Sequence, residues 1–334
     1  MTDSSAQYDA LARFNLALGR LQGGLKPSSL SMHKRLKPHA EAGHAHEVPK
    51  QQKKRASAMT TDQWLAAKIV AEQPASVADI GCGFGLTAAL IAQQCHARVY
   101  GLNASKVATE AGQRFWQEAQ LDNPPALQQG RFGDPLPTTD LDIMLSIEAL
   151  GYSDDLEQSL EWLWHGLKAG GSLMILDDYL RPSALSNTAP SGPSNTPSNA
   201  SSNTASNAAL NTPPNAPYKA SFSSSDAQSL SDTDALCHYW QRARLWSLQE
   251  LLDTAHKLGF VPAEQIDLTP RVFATSESPS RLWRHVLRLG ARVNGDAGHI
   301  ARAFLGGWHL DSLYNSGNAE YHFVRLQKPE GVKP

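Results

Sequence analysis

Cysteine is scarce in this sequence: Cys82, Cys95 and Cys237 are the only three in 334 residues. Their spacing matches no metal-binding pattern, and an odd number leaves no complete disulfide framework, so neither a zinc module nor a stapled secreted scaffold is indicated. Long apolar runs are missing too, with nothing near the roughly 20 residues of a membrane helix. The opening stretch, MTDSSAQYDA, has neither the basic start nor the apolar block of an export signal. Neither sign of charge is in excess. Thirty Lys and Arg against 32 Asp and Glu give a net charge of -2, so no global field draws the chain to nucleic acid or an anionic membrane. The expectation is a cytoplasmic protein with no membrane span, no nucleic-acid partner and no metal. Nothing in the sequence sets an oligomeric state.

What is present is a regular alternation. Residues 1–58 are polar, with an amphipathic helix at LARFNLALGRLQ and then a basic, His-dotted segment, MHKRLKPHAEAGHAHEVPKQQKKR. From Thr60, strand-like and helix-like segments take turns: TDQWLAAKIVAEQ, SVADIG, LTAALIAQQC, RVYGLN, ASKVATEAGQRFWQEA, ALQQGRFG, LDIMLSIEA. Such spacing signals βαβ units and a parallel sheet. Ser153 is the expected N-cap of the next helix, whose face carries Leu156, Leu160, Leu163, Trp164 and Leu167, and Gly170-Gly171 is its expected stop. SLMILDDYL follows as a buried strand.

Residues 182–232 are almost all Ser, Asn, Thr, Ala and Pro. Such a segment buries too little apolar area to offset the entropy of ordering, so it is expected to be a disordered insert; a mucin-like stalk would share its composition but has no export signal to support it. After it come a helix with a Ser247–Glu250 capping box and Gly259 as its stop, a strand at VPAEQIDLT, two helical stretches within 279–317, and an alternating final strand at EYHFVRLQK. Four segments are expected: an N-terminal cap over 1–58, a ligand-binding core over 59–181, the insert over 182–232, and over 233–330 the rest of the domain with acceptor-cap helices.

VADIGCGFG carries the chemistry. A strand ending at a Gly-rich turn that feeds a helix is a nucleotide-type site, because the glycines admit positive φ and let the backbone approach a ligand. Gly81, Gly83 and Gly85 come at every second position, one step out of the dinucleotide register GxGxxG. Asp79 before them would repel a pyrophosphate and suits a ligand with a cationic or hydroxyl-bearing part. About 20 residues on, where a ribose contact belongs, stands Asn103. Gly133-Asp134 follows the third strand, where an Asp can accept from an exocyclic amine. Ser146 and Glu148 follow the fourth.

Taken in order, VADIGCGFG, VYGLNAS, RFGDPLP and LKAGGSLMILDD resemble the motifs of class I S-adenosylmethionine-dependent methyltransferases, over roughly 60–180 and more loosely 234–328. Within that superfamily MHKRL, IEALGYSDD and FLGGWHLDSLYNSGNAEYHFVRLQK resemble the small-molecule enzymes of the tocopherol, sterol and glycine-betaine type. The resemblance implies a Rossmann-like α/β fold, a mostly parallel seven-stranded sheet with helices on both faces and an antiparallel last strand. It implies S-adenosylmethionine as cofactor and a small-molecule methyl acceptor as partner. Gly81, Cys82 and Gly83 would pass under the methionine part, with Asp79 near its amino group and Gly85 closing the turn. Asn103 would meet the ribose, Asp134 the adenine amine with Gly133 beside it, and Ser146 and Glu148 would line the floor near the sulfonium. Asn103 stands where the commoner member has an acid, and Tyr152 about where relatives often have His.

Methyl transfer asks mainly for alignment and exclusion of water, and no catalytic dyad with convincing spacing is found. His33, His39, His44 and His46 read as a solvated loop, and Lys50–Arg55 as a solvated linker. Trp164 reads as core, Cys82 as a small side chain beneath a ligand, and Asp177 and Asp178 as acids facing the cleft. Trp240, Trp246, Trp308 and Tyr314 divide between packing and an acceptor pocket. Two other classes stay open: a nicotinamide-dependent oxidoreductase on a doubly wound sheet, and a non-catalytic S-adenosylmethionine-binding protein.

Overall fold

A computed structural model describes residues 4–22, 24–26, 33–37, 59–181, 231–273 and 280–331. The insert, apart from its last two residues, together with His39, His44, His46 and Lys50–Arg55, lies outside these. The described elements in chain order are α1 (Ser4–Leu21), β1 (Arg35–Leu36), β2 (Met59–Thr60), α2 (Thr61–Ala71), β3 (Ser76–Ile80), α3 (Leu86–Gln94), β4 (Arg98–Asn103), α4 (Lys106–Glu118), β5 (Ala126–Gln129), β6 (Leu141–Ile147), α5 (Leu156–Gly166), β7 (Leu167–Leu180), α6 (Asp232–Trp240), α7 (Leu248–Lys257), β8 (Val261–Asp267), α8 (Arg281–Gly290), α9 (Asp296–Asn315) and β9 (Ala319–Gln327).

Seven strands form one sheet in the order β5-β4-β3-β6-β7-β9-β8. β3 to β7 pair in parallel, and β9 runs antiparallel to both β7 and β8. The fold is thus the Rossmann-like α/β arrangement with an antiparallel last strand. A two-stranded antiparallel sheet joins β1 to β2.

Alternation along the strands feeds two cores. Val77, Val99, Ile143, Leu145 and Phe323 pack with Leu65, Ile69 and Ile91 of α2 and α3 on one face. Ala78, Ile80, Met144, Leu173 and Val324 pack with Leu160, Leu163 and Trp164 of α5 on the other. Strands buried on both sides are the rule for parallel sheets covered by helices. Trp164 is 1% exposed and fills the second core.

Local chemistry fixes the helix ends. Thr60 and Ser247 each make a capping box, with Gln63 and Glu250. α5 corrects two expectations. Its N-cap is Asp155, which accepts from Gln158 N, while the Ser153 hydroxyl donates to Asp155 O. The helix stops at Gly166, ahead of Gly170-Gly171. The pairing of β6 with β7 jumps from Leu141–Leu167 to Ile143–Ser172, so residues 168–171 bulge within the strand, Gly170 with φ +77°. The glycines relieve that bulge and do not end the helix.

Two sequence-distant helices close over one end of the sheet. α1 lies on α9 and α4, tied by Arg13 to Asp296 at 2.6 Å and by Gln7 to Tyr239 O at 3.1 Å.

Candidate functional site

The strand order reverses between β3 and β6, and in an open α/β sheet the crevice outside the carboxyl ends at such a point is the binding place. A cavity of about 370 Å³ opens there. Its floor comes from the ends of β3 (Ile80, Gly81, Gly83) and β6 (Ile147, Glu148, Ala149). One wall is Leu102, Asn103, Ala104 and Ser105 at and after the end of β4 with Gly130, Arg131 and Phe132 after β5. The opposite wall is Gln7, Tyr8 and Leu11 of α1, Tyr152, Trp240, Arg242 and Ala303.

The turn is built as its glycines demand. Gly81, Gly83 and Gly85 have φ of +85°, +55° and +77°, the left-handed region that side chains disfavour. Leu102 O accepts from Gly81 N at 2.7 Å and from Cys82 N at 3.2 Å. The Trp116 indole donates to Phe84 O at 2.8 Å and fixes the far side. A Cβ on Gly81 would stand 2.3 Å from Ala149 Cβ, so the β3 and β6 loops touch at bare backbone. Gly81→Ala is therefore expected to cost about 2–4 kcal/mol in a urea unfolding curve, from positive φ and overlap together.

Asp79 lies behind the turn, 2% exposed, with Oδ2 unpartnered. Burial pushes its carboxyl up to about 7, against the pull of His33 and the Ala88 N–H. Cys82 is buried against Gly101, and burial with the Asp79 charge holds its thiol well above the usual range, as suits a spacer and not a nucleophile. Ser146 is fully buried in β6. Of the residues singled out in the sequence, Gly81, Gly83, Asn103 and Glu148 face the cavity. Asp79, Cys82, Gly85 and Ser146 support it from behind. Gly133 and Asp134 do not line it: Asp134 Oδ2 accepts from Arg131 N at 2.8 Å, fixing the turn that presents Arg131 and Phe132.

Glu148 adopts φ +53°, an uncommon conformation for a side-chain-bearing residue and a mark of functional loops. It is the hub of a polar network. The Tyr321 hydroxyl donates to Glu148 Oε1 at 2.8 Å, and Lys34 Nζ lies 3.3 Å from the same carboxylate and 2.9 Å from Asp178. Tyr314 also donates to Asp178. Asp177 lies 3.2 Å from Arg242 Nη2. The reading of Asp177 and Asp178 as acids facing the cleft is corrected: neither lines the cavity, and both are buried and paired, because Lys34 and Arg242 reach them.

His33 overturns the solvated-loop reading for its position. Its Nδ1 is 2.8 Å from Asp62, itself 1% exposed, and the ring lines the cavity. Burial alone would lower the imidazole, but the Asp62 charge and hydrogen bond, with Glu148 and Asp79, raise it to about 9. A cation therefore stands at the floor at neutral pH. Opposite, Tyr8 and Tyr152 meet edge to face at 5.2 Å, and burial raises both hydroxyls, so they stay protonated. Arg242 lies over the Tyr152 ring at 4.7 Å and the Trp240 ring at 5.5 Å. Trp240 thus joins the cavity, whereas Trp246 packs in the second core and Trp308 carries Arg284 at 5.2 Å.

Sequence reasoning passed over His33, Arg131, Phe132 and Arg242 as site residues, and noted Tyr152 only as standing where relatives often have His. Arg131 and Phe132 adjoin the quoted Gly133-Asp134, and His33 lies in MHKRL, so a signal existed for these three. Nothing in QRARLW separates Arg242 from Arg244. Among the described residues no cluster of His, Cys, Asp and Glu has metal-site geometry, and no helix is long and apolar enough to cross a membrane.

A glycine turn at the switch point, an amide at the end of the second parallel strand and an acid beyond the fourth thus meet around one cavity. Residues 78–175 match the family described as a methyltransferase domain. A probable tocopherol O-methyltransferase of Oryza sativa subsp. japonica is 28% identical over 106 residues, which cover 31% of this chain and 29% of that protein. The fold is similar to that of a geranyl diphosphate methyltransferase solved with GPP and sinefungin, at a TM-score of 0.57 and 15% identity over 96% of this chain and 99% of that one. It is similar also to the cyclopropane synthase MmaA2 from Mycobacterium tuberculosis, at 0.58 and 15% over 98% and 97%.

Proposed function

We propose that this chain transfers the methyl group of S-adenosylmethionine to a small-molecule acceptor held in the cavity above the Gly81–Gly85 turn. The observation that carries the proposal is the two-sidedness of the cavity. Its floor and near wall offer bare backbone, an amide and a cation, and its far wall sets three aromatic rings, Tyr8, Tyr152 and Trp240, around Arg242. Small-molecule acceptors named for the relatives, tocopherol and geranyl diphosphate, support the same reading.

The residues fit such a cofactor. The turn has no room for side chains at Gly81, where a Cβ would meet Ala149, or at Gly85, where it would meet Leu127, and Asp79 Oδ2 is a buried acceptor without a donor. Gly81 and Gly83 pass under the methionine part, Cys82 spaces the turn from β4, and Gly85 starts α3. Asp79 balances the ligand amino group, and protonated His33 balances its carboxylate. Asn103 takes the ribose hydroxyls. Arg131 and Phe132 flank the adenine, held in place by Asp134, with Gly133 in the same turn. Glu148, above Ser146, faces the sulfonium end.

When bound, the cofactor supplies an already activated methyl group. The chain's part is alignment and exclusion of water. Tyr8, Leu11 and Trp240 cover the cavity, and Tyr152 orients the acceptor through a hydroxyl that keeps its proton. With Asp177 and Asp178 tied in ion pairs, no carboxylate there is left over as a general base. Among the described residues, α1, His33 and α9 form the acceptor cap.

Calorimetry with S-adenosylhomocysteine tests the cofactor, and labelled S-adenosylmethionine in a metabolite extract, with mass identification of the product, tests transfer. Saturable binding and a labelled small molecule are expected. No binding would sink the reading, and binding without any labelled product would leave a non-catalytic cofactor protein.

A further inference from the structure

The far side of the cap carries a surface that the cavity does not explain. On α8, Leu282, Val286 and Leu289 recur at i, i+4 and i+7, with Val293 just past the helix, so they share one stripe. That stripe points to solvent. Leu282 is 74% exposed, Val286 43%, Leu289 48% and Val293 54%, with Trp283 beside them at 56%. The helix is held from its other side, where Leu287 and Ala291 pack on Ala235, Tyr239 and Leu305. Exposed large apolar residues are normal singly; a row of them along one helix is not.

The charge on the same helix is one-sided. Arg281, Arg284, Arg288 and Arg292, with His285, fall between Ser280 and Gly295, a span without a single acid in a chain of net charge -2. His285, Arg288 and Arg292 are exposed. Arg284 is drawn inward over Trp308. The next acid, Asp296, is engaged by Arg13.

An amphipathic helix with an exposed apolar stripe, a Trp at its edge and only basic charge beside it has the chemistry of an interfacial helix. It lies in the plane of a membrane with the stripe among the acyl chains and the cations at the headgroups. We infer that α8 docks this protein on an anionic lipid surface. Charge complementarity decides the partner: exposed Arg288 and Arg292, in a span with no acid to offset them, suit an anionic lipid sheet, and the apolar stripe is the part that zwitterionic solutes or polyanions would leave uncovered. The docking is independent of the transfer reaction. If that reaction is as proposed, the position of α8 gains a purpose. α8 lies on α9 and Tyr239, whose neighbours Ala303 and Trp240 line the cavity, so docking brings the acceptor side near the reservoir in which apolar acceptors dissolve.

The test is flotation of the full chain with vesicles of phosphatidylcholine alone and of phosphatidylcholine with phosphatidylglycerol. Flotation with the anionic vesicles, weakened by salt and at least about tenfold stronger than with the neutral ones, is expected. Leu282→Gln with Leu289→Gln should abolish it, and Arg288→Gln with Arg292→Gln should remove the preference for anionic lipid. All four positions are exposed, so both variants should keep the wild-type melting temperature and affinity for S-adenosylhomocysteine. That separates loss of docking from failure of the cofactor reading. Absence of flotation at low salt, equal flotation on neutral vesicles, or flotation unchanged in the apolar variant would each overturn the inference. So would concentration-dependent self-association that the apolar variant loses while wild type ignores lipid.

Discussion

Asp79→Asn is expected to bind S-adenosylhomocysteine about 10- to 100-fold more weakly than wild type while melting at a higher temperature at pH 8. The two effects share one cause. The Asp79 carboxyl is buried and its Oδ2 has no partner, so the ionised form is costly until a cation arrives. Asp79 stands behind the turn and not on the cavity surface, so its charge acts on the ligand amino group through the poorly screened interior, an attraction of about 1.5–3 kcal/mol that sets the affinity loss. In the free protein the carboxyl titrates near 7, against the 3.8 of an exposed group. Between those values the folded state holds a proton that the unfolded chain has released, so stability falls as pH rises through that window. The Asn variant should lack that fall. His33, raised to about 9, adds stability that is fully present below about pH 6.5 and is lost as pH rises through its folded value. Wild type should therefore weaken from about pH 4 to 9, and the variant mainly in the upper part. Isothermal titration calorimetry and melting curves across pH check both. Unchanged affinity would remove Asp79 from the cofactor site.

Arg242→Met is expected to destabilise the protein by about 3–5 kcal/mol, with partial recovery in the double variant with Asp177→Asn. Arg242 is 4% exposed and Asp177 3%. Removing one member of a buried pair leaves an uncompensated charge, whereas removing both leaves a neutral site. Burial already pushes the Asp177 carboxyl up, with Arg242 as the main opposing influence. Nη1 and Nε of Arg242 have no partner among the described residues, and the side chain lines the cavity, so the double variant should regain fold and not acceptor binding. A urea double-mutant cycle with strictly additive losses would show that the pair is not coupled.

The sheet was legible in the sequence because its signals are local. Val77–Ile80, Arg98–Asn103 and Leu141–Ile147 are apolar runs of strand length, and the Ser247–Glu250 box sits where its helix begins. The errors were local too. At α5, Asp155 outcompeted Ser153 as cap, and a bulge in β7 absorbed the two glycines taken for a stop. The site was legible where backbone makes it, at Gly81 and Gly83, and where one residue follows one strand, at Asn103 and Glu148. It was illegible where partners come from far away in the chain. No spacing rule joins His33 to Asp62 or Lys34 to Asp178, and a basic segment dotted with histidines looks solvated until a buried carboxylate is found beside it. Asp134 failed to reach the cavity because its carboxylate finds a nearer donor, Arg131 N.

The separations across the acceptor side carry a consequence for time. Gln7 meets Tyr239 across 232 positions and Arg13 meets Asp296 across 283, while the turn and the strands flanking it lie within one stretch of 72 residues, 76 to 147. Loop closure over the longer distances is entropically dearer and slower. The half of the crevice that binds backbone-first can assemble while the aromatic half is still absent, and fluctuations release the two in the reverse order. Native-state hydrogen exchange is therefore expected to open the α1 contacts at a lower free energy than the strands under the glycine turn, so that capacity to hold a ligand outlasts capacity to shield one.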